Sequence, residues 1–417
     1  MEPHIPRKRP RRTSDSDRNN GASGSRRRSG RTHATAPVQE RAFLVALEHS
    51  AGKQGPRMPA GASLRELARL ARTAGAIVVG QAFQRKRHPD PATYIGSGKV
   101  EEVRAAREET GYTVVIFDEQ LSPAQQLRLE SKLEVKVLDR SALILDIFTS
   151  RARSREASLQ VDLAQHEYLL PRLRGQWEHL ERMEGAMGAR GPGETQLETD
   201  RRLIGARISR LKKSIESVRK QRTLHRRQRE RTGIPVVALV GYTNAGKSSL
   251  MKSLAGSDAF IADALFATLD PLTRRINVDD QGFLLTDTVG FIQKLPTQLA
   301  SAFKATLEEL ESAELLVHVV DATSEMAAAQ AETVLETLAD LGLEQQVLTA
   351  LNKVDGLELP DGRPVEVEAD LKDIEIVNPA GSGEALLTSA LRGWGIDRLR
   401  QRIAFEVLGE PAVLATS

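Results

Sequence analysis

Residues 236–250 read VVALVGYTNAGKSSL, and this stretch decides the fold. Val236–Val240 form an unbroken apolar run of strand length, the pattern of a strand buried on both faces. It leads directly into G-x-x-x-x-G-K-S, from Gly241 to Ser248, and then into helix-forming residues. Strand, glycine-rich loop and helix in that order form the context of a phosphate-binding loop. Gly241 and Gly246 let the main chain approach phosphate. Tyr242, Thr243, Asn244 and Ala245 fill the loop, and the amides of residues 244–248 are expected to face the β-phosphate. Lys247 should neutralise β- and γ-oxygens, Ser248 should ligate Mg²⁺, and Ser249 follows on the same helix.

Further motifs follow in a set order. Phe266, Ala267 and Thr268 lie in LFATLDPLTR, where the Thr268 hydroxyl can reach Mg²⁺ when a γ-phosphate is present. The strand GFLLTDTVG ends at Asp287, followed by Thr288, Val289 and Gly290. Asp287 can hold Mg²⁺ through water, and the Gly290 amide can meet the γ-phosphate, so loss of that phosphate should release the loop. After LLVHVVDAT, the strand QVLTALNKVD brings Asn352, Lys353, Val354 and Asp355. The Asp355 carboxylate can accept both guanine N1–H and the exocyclic amine. Adenine lacks that donor pair and would leave the carboxylate unpaired. Ser389 and Ala390 in LLTSALRGWG are a further base-contacting candidate. The nucleotide expected is therefore GTP, with GDP as product.

Phe291 stands where many GTP-binding proteins carry a water-orienting glutamine. A phenyl ring cannot hydrogen-bond water in that way. Gln293 is the local rival for the task, and the other expectation is a group ordered or supplied by a partner. No catalytic side chain is assigned.

The whole chain has 417 residues, enough for two or three cores, with 40% apolar residues and a net charge of only +3. It has no cysteine, which excludes disulfides and thiolate metal sites and fits a reducing compartment. No apolar run approaches the ~20 residues of a membrane helix. Residues 1–38 are Arg-, Ser- and Gly-rich with almost nothing to bury. They read as a disordered basic tail, either touching RNA or another polyanion or simply solvated. An organelle transit peptide is a weaker alternative, interrupted by Glu2, Asp15 and Asp17.

Residues 39–150 alternate β and α patterns, which predicts an N-terminal α/β domain with a mostly parallel sheet. Ser122 and Pro123 mark a helix start. In YIGSGKVEEV, Gly96 to Lys99 open another helix, either as a plain start or as an anion site.

Residues 151–232 carry two stripes at steps of three and four: Leu159, Leu163, His166, Leu170, Leu173, Trp177, Leu180, and then Leu197, Ile204, Ile208, Leu211, Ile215, Val218. They read as an antiparallel helical hairpin, kinked at Pro171, with a mobile loop at 184–194. The second helix is strongly basic, from Arg201 to Arg231, against only Glu216 and Glu230. Like charges at that density destabilise a solvated helix, and a polyanion explains them better. Residues 233–417 complete the GTPase domain with a C-terminal helix.

FATLDP and DTVGFI resemble the Obg–HflX group of translational GTPases, and YIGSGKVEEV and GARGPGETQLETDRRLI resemble the HflX family in particular. The resemblance covers roughly residues 42–405 and excludes the tail. It implies an α/β fold class throughout: an N-terminal α/β domain, a helical hairpin and a Ras-like P-loop domain. It also implies Mg²⁺-dependent GTP hydrolysis, binding to the large ribosomal subunit, and splitting or rescue of stalled ribosomes. Gly191, Gly193, Glu194 and Gln196 match the hairpin loop that reaches the peptidyl-transferase region. Phe291 follows the family's habit of a hydrophobic residue there. Some members are reported to bind ATP through the N-terminal domain, for which Gly96–Lys99 are candidates. One departure is Leu391, where related GTPases carry lysine, after an acidic, irregular stretch at 357–388. The expected state is a cytoplasmic monomer, with association to ribosomes or to a membrane surface open. A GTP-switched assembly factor is the alternative. A tRNA-modifying GTPase ranks last, because such enzymes often use a C-terminal cysteine.

Overall fold

The computed structural model describes residues 39–49, 59–173, 192–230, 233–256, 265–266, 268–278, 281–294, 310–374, 376–381 and 383–409, with main chain alone at 49, 192–197 and 221–230. The tail, the centre of the hairpin connection and Ala267 lie outside the described residues, as do the side chains of Arg222 to Arg231.

The first sheet has four strands: β1 (Arg41–His49), β2 (Ile77–Lys86), β3 (Val114–Phe117) and β4 (Lys136–Asp139). All pair in parallel, in the order β2-β1-β3-β4. The helices α1 (Ala60–Thr73), α2 (Ser97–Thr110), α3 (Pro123–Leu133) and α4 (Arg140–Arg151) join and flank them. The start of α3 forms as its sequence requires: Ser122 and Gln125 make a reciprocal capping box, with Pro123 in the first turn. The Gly96 amide at the start of α2 donates to the Gln84 side chain, and Lys99 pairs with Glu102 at 2.6 Å.

Next come α5 (Arg155–Leu169) and the 39-residue α6 (Pro192–Glu230), which pack on one another. Helix α5 ends at Leu169, the chain turns through Leu170–Arg172 and Leu173 is helical again, so the helical path breaks at Pro171. Proline supplies no amide to continue the ladder. The expected loop at 184–194 ends earlier than anticipated, because Pro192, Gly193 and Glu194 already belong to α6. Proline suits the first turn of a helix, where its missing N–H has no partner to lose. Leu211 is the buried member of the second apolar stripe, while Ile204, Ile208, Ile215 and Val218 are half-buried.

The second sheet has the order β10-β9-β8-β5-β7-β6. Its strands are β5 (Val236–Gly241), β6 (Leu272–Val278), β7 (Gln281–Asp287), β8 (Leu315–Asp321), β9 (Gln346–Asn352) and β10 (Ala385–Leu387). Only the β6–β7 pair is antiparallel. Helices α7 (Lys247–Ala255), α8 (Ala327–Asp340) and α9 (Ile396–Leu408) cover it. Strand β5 is buried on both faces, as its unbroken apolar run requires.

One apolar cluster runs from Leu44, Leu67, Ile144 and Phe148 to Val240, Phe266, Val289 and Ile292. The two sheets therefore share a core, and the nucleotide-loop candidates sit on its rim. No helix among the described residues is long and apolar enough to cross a membrane.

Candidate functional site

The phosphate-loop candidate leaves β5 at its carboxyl end, where parallel α/β sheets place ligand crevices. Gly246 takes φ +93°, and a Cβ there would lie 2.2 Å from the Asn352 side-chain nitrogen. That nitrogen donates to the Ala245 carbonyl at 2.9 Å. Asn352 also accepts from the Ala390 amide at 3.0 Å. One asparagine thus stitches three separate loops together.

Lys247 is buried, and its ammonium donates to the carbonyls of Gly241 and Tyr242, each at 3.0 Å. Burial pushes its pKa down to about 8, against the opposing pull of Asp287. Gly290 closes over it: a Cβ would sit 2.8 Å from the Thr243 Cα and 2.9 Å from the Lys247 nitrogen. Only glycine allows this approach.

The Ser248 and Thr268 hydroxyls lie 2.7 Å apart, and both donate to the same Asp287 oxygen, at 2.6 and 2.8 Å. The other Asp287 oxygen is buried without a partner, and burial raises the carboxyl's pKa. Two hydroxyls beside one carboxylate make an all-oxygen donor set. Mg²⁺ typically takes one or two carboxylates together with phosphate oxygens and water, so these residues fit it.

At the other end, Asp355 accepts from the Ser389 hydroxyl at 2.6 Å. Lys353 takes φ +66° and donates to Asp321 at 2.6 Å.

These groups surround a cleft of about 530 Å³. Thr243, Asn244, Gly246, Lys247, Ser248 and Ser249 line one side of it. Phe266, Thr268, Thr288 and Gly290 line a second, and Asn352, Lys353, Asp355 and Ala390 a third. Gly241, Ala245, Asp287, Val289, Val354 and Ser389 do not line the cleft. Tyr242 does not line the cleft either: its hydroxyl donates to Glu66 at 2.5 Å and accepts from the Gln293 amide at 3.0 Å. Thr323 and Gly356 also line the cleft, unforeseen from the sequence, as does Leu391, which stands where related GTPases carry lysine. For Thr323 the signal was its place just after β8, two residues past Asp321, whose carboxylate accepts from its hydroxyl. Leu391 is 82% exposed beside Ala390.

The segment around Phe291 is joined to the phosphate loop through main chain. The Phe291 amide donates to Gly241 at 3.0 Å, and its carbonyl accepts from the Thr243 amide at 2.7 Å. Its ring packs on the shared apolar cluster. Gln293 sends its side-chain amide to the Thr333 hydroxyl at 3.3 Å.

Family models match three consecutive stretches: "GTP-binding GTPase N-terminal" over 61–149, "GTP-binding GTPase Middle Region" over 151–229, and "50S ribosome-binding GTPase" over 236–353. A GTPase HflX of Caldanaerobacter subterraneus subsp. tengcongensis is 44% identical, over 90% of this chain and 83% of that protein. The chain belongs to the HflX family of GTPases. The GTPase HflX of Escherichia coli K12 is 43% identical, over 84% of this chain and 80% of its own length. A solved GTP-binding protein from Sulfolobus solfataricus in complex with GDP is 24% identical, covers 89% of this chain and 99% of that one, and gives a TM-score of 0.45. This HflX-family chain is a GTP-hydrolysing enzyme with an α/β, P-loop fold.

Proposed function

We propose that this GTPase acts on the large ribosomal subunit and splits or rescues stalled ribosomes, working as a monomer with Mg²⁺ and GTP. The phosphates would lie on the amides of residues 244–248 and on Lys247, with the guanine against Asp355 and the Ser389–Ala390 turn. Ser248 and Thr268 would hold the metal directly and Asp287 through water. Bound there, Mg²⁺ would neutralise charge on the transferring phosphoryl group.

The observation that carries the ribosomal part is the exposed face of α6. Arg201, Arg202, Arg207, Arg210, Lys212, Lys213, Arg219 and Lys220 are all exposed on it. The sequence of the tail offers a second basic contact. Phosphate backbones would release counterions on meeting such a face. Neither Phe291, with its ring in the apolar cluster, nor Gln293, turned to Thr333, presents a side chain to an attacking water. The ribosome would order or supply that group, so hydrolysis alone should be slow.

Sedimentation with purified large subunits tests the reading. The GTP-analogue form should pellet with them, and removing basic residues between Arg207 and Lys220 should flatten the salt dependence by about one unit of slope per lost phosphate contact. No co-sedimentation with any nucleotide would contradict it. Binding to immature subunits alone would point instead to an assembly factor.

A further inference from the structure

Asp270 lies two residues beyond Thr268, and its carboxylate does not line the nucleotide cleft. It is committed to the elbow between α4 and α5. One carboxylate oxygen accepts from the amides of Ser154 at 2.8 Å and Arg153 at 3.2 Å. The other accepts from the Ser154 hydroxyl. Ser154 is itself the N-cap of α5, and its hydroxyl oxygen accepts from the Ala157 amide at 3.1 Å. Asp270 therefore grips the residue that starts the helix, through three donors across a sequence gap of more than a hundred residues.

A second contact joins the same two segments. Phe266 stacks edge-on against Phe148 at the end of α4, with ring centroids 4.6 Å apart and planes at 78°. Both rings are buried. Leu269, between Thr268 and Asp270, is 9% exposed and belongs to the same apolar cluster as Phe148. Phe266 and residues 268–270 are thus held on one side by Ser248 and Asp287 through Thr268, and on the other by α4 and α5. Beyond the elbow, α5 meets the basic helix α6 through Glu167–Lys212 at 2.9 Å and Asp162–Arg207 at 3.5 Å.

We propose that Asp270 is a positioning residue that couples the state of Thr268 to the orientation of the α5–α6 pair. The proposal rests on the reading of Thr268 as a nucleotide-sensing group. A change in the hold on Thr268 reaches Asp270 through one tightly packed residue, and Asp270 carries it to the first turn of α5. A carboxylate that accepts three hydrogen bonds is stiff at short range, whereas the exposed ion pairs farther along are individually weak. Coupling of this kind is reciprocal in binding free energy: whatever engages α6 should alter nucleotide affinity by the same factor.

The test uses the full chain and no ribosome. The sequence has no cysteine, so Lys213→Cys on α6 and Gln401→Cys on α9 supply the only thiols for a spin-label pair. Nucleotide affinity is measured first, and then the interlabel distance distribution with GDP and with a non-hydrolysable GTP analogue. In the labelled parent the two distributions should differ. Asp270→Ala should remove that difference while the dissociation constants change by less than about threefold. Asp270→Asn, which keeps an acceptor oxygen, should retain part of it. Ser154→Ala keeps both main-chain donors, serves if Asp270→Ala does not fold, and should show a partial loss. A difference in Asp270→Ala as large as in the parent would overturn the proposal, and so would a parent that shows none. Failure of the parent to bind either nucleotide would instead sink the reading of the cleft. Failure to bind ribosomes would leave the distance result standing.

Discussion

The Thr243 amide donates to the Phe291 carbonyl at 2.7 Å, so the phosphate-loop candidate and the segment after Asp287 are joined backbone to backbone. Any residue at position 291 could make that bond. What Phe291 adds is a half-buried ring against the apolar cluster shared by both sheets. Phe291→Gln should therefore not create a water-orienting side chain. Single-turnover hydrolysis without ribosomes should rise by less than about threefold, and stability should fall by about 1–2 kcal/mol from lost apolar burial. Single-turnover rates and denaturant midpoints check both.

Asp355 faces the cleft with one oxygen held by Ser389. Asp355→Asn should weaken GTP binding by at least ~100-fold and move preference toward xanthine, because the donor pair of guanine then meets an amide. Ser389→Ala removes only the orienting hydroxyl and should cost about 1 kcal/mol, near fivefold in affinity. Competition with labelled GDP measures both.

Lys247 should give nucleotide binding a pH dependence. With its pKa pushed down to about 8 by burial, the free protein carries this cation below that pH and loses it above. Bound phosphates favour the charged form, so binding above pH 8 must take up a proton. Affinity for GDP should be flat from pH 6.5 to 7.5 and fall above pH 8, by up to about tenfold per unit. Titration calorimetry in two buffers of different ionisation enthalpy should show net proton uptake near pH 8.5.

Arg140 is buried between Glu66 and Asp118, and its guanidinium also donates to the Gln293 carbonyl at 3.2 Å. Burial alone would lower its pKa, but the two carboxylates outweigh that and hold it charged. Lys294 adds a second cation on Asp118, at 2.5 Å. Arg140→Met would leave the buried Asp118 and the half-buried Glu66 each short of a partner, at a cost of about 3–5 kcal/mol. Chemical denaturation measures the loss.

The local parts of this architecture were legible. The apolar run 236–240 could only be a buried strand, Ser122–Gln125 announced a helix start, and Gly246 and Gly290 stood where a Cβ would collide with a neighbour. The joints were not legible. Asn352 meets Ala245 across 107 residues, and Tyr242 meets Glu66 across 176. Periodicity reports which face of an element is apolar, and says nothing of which distant polar group its neighbour supplies. Tyr242 sits inside the phosphate-loop motif and so read as a nucleotide contact, yet its hydroxyl belongs to the other sheet's α1.

The proposed completion of this GTPase by the large ribosomal subunit can be tested directly. GTP turnover should be measured with purified large subunits, with small subunits and with neither. Hydrolysis should be slow alone and with small subunits and should rise by at least ~10-fold with large subunits, a floor well below the ~10³–10⁵-fold that a group supplied in trans can give. Equal rates in all three reactions would contradict it.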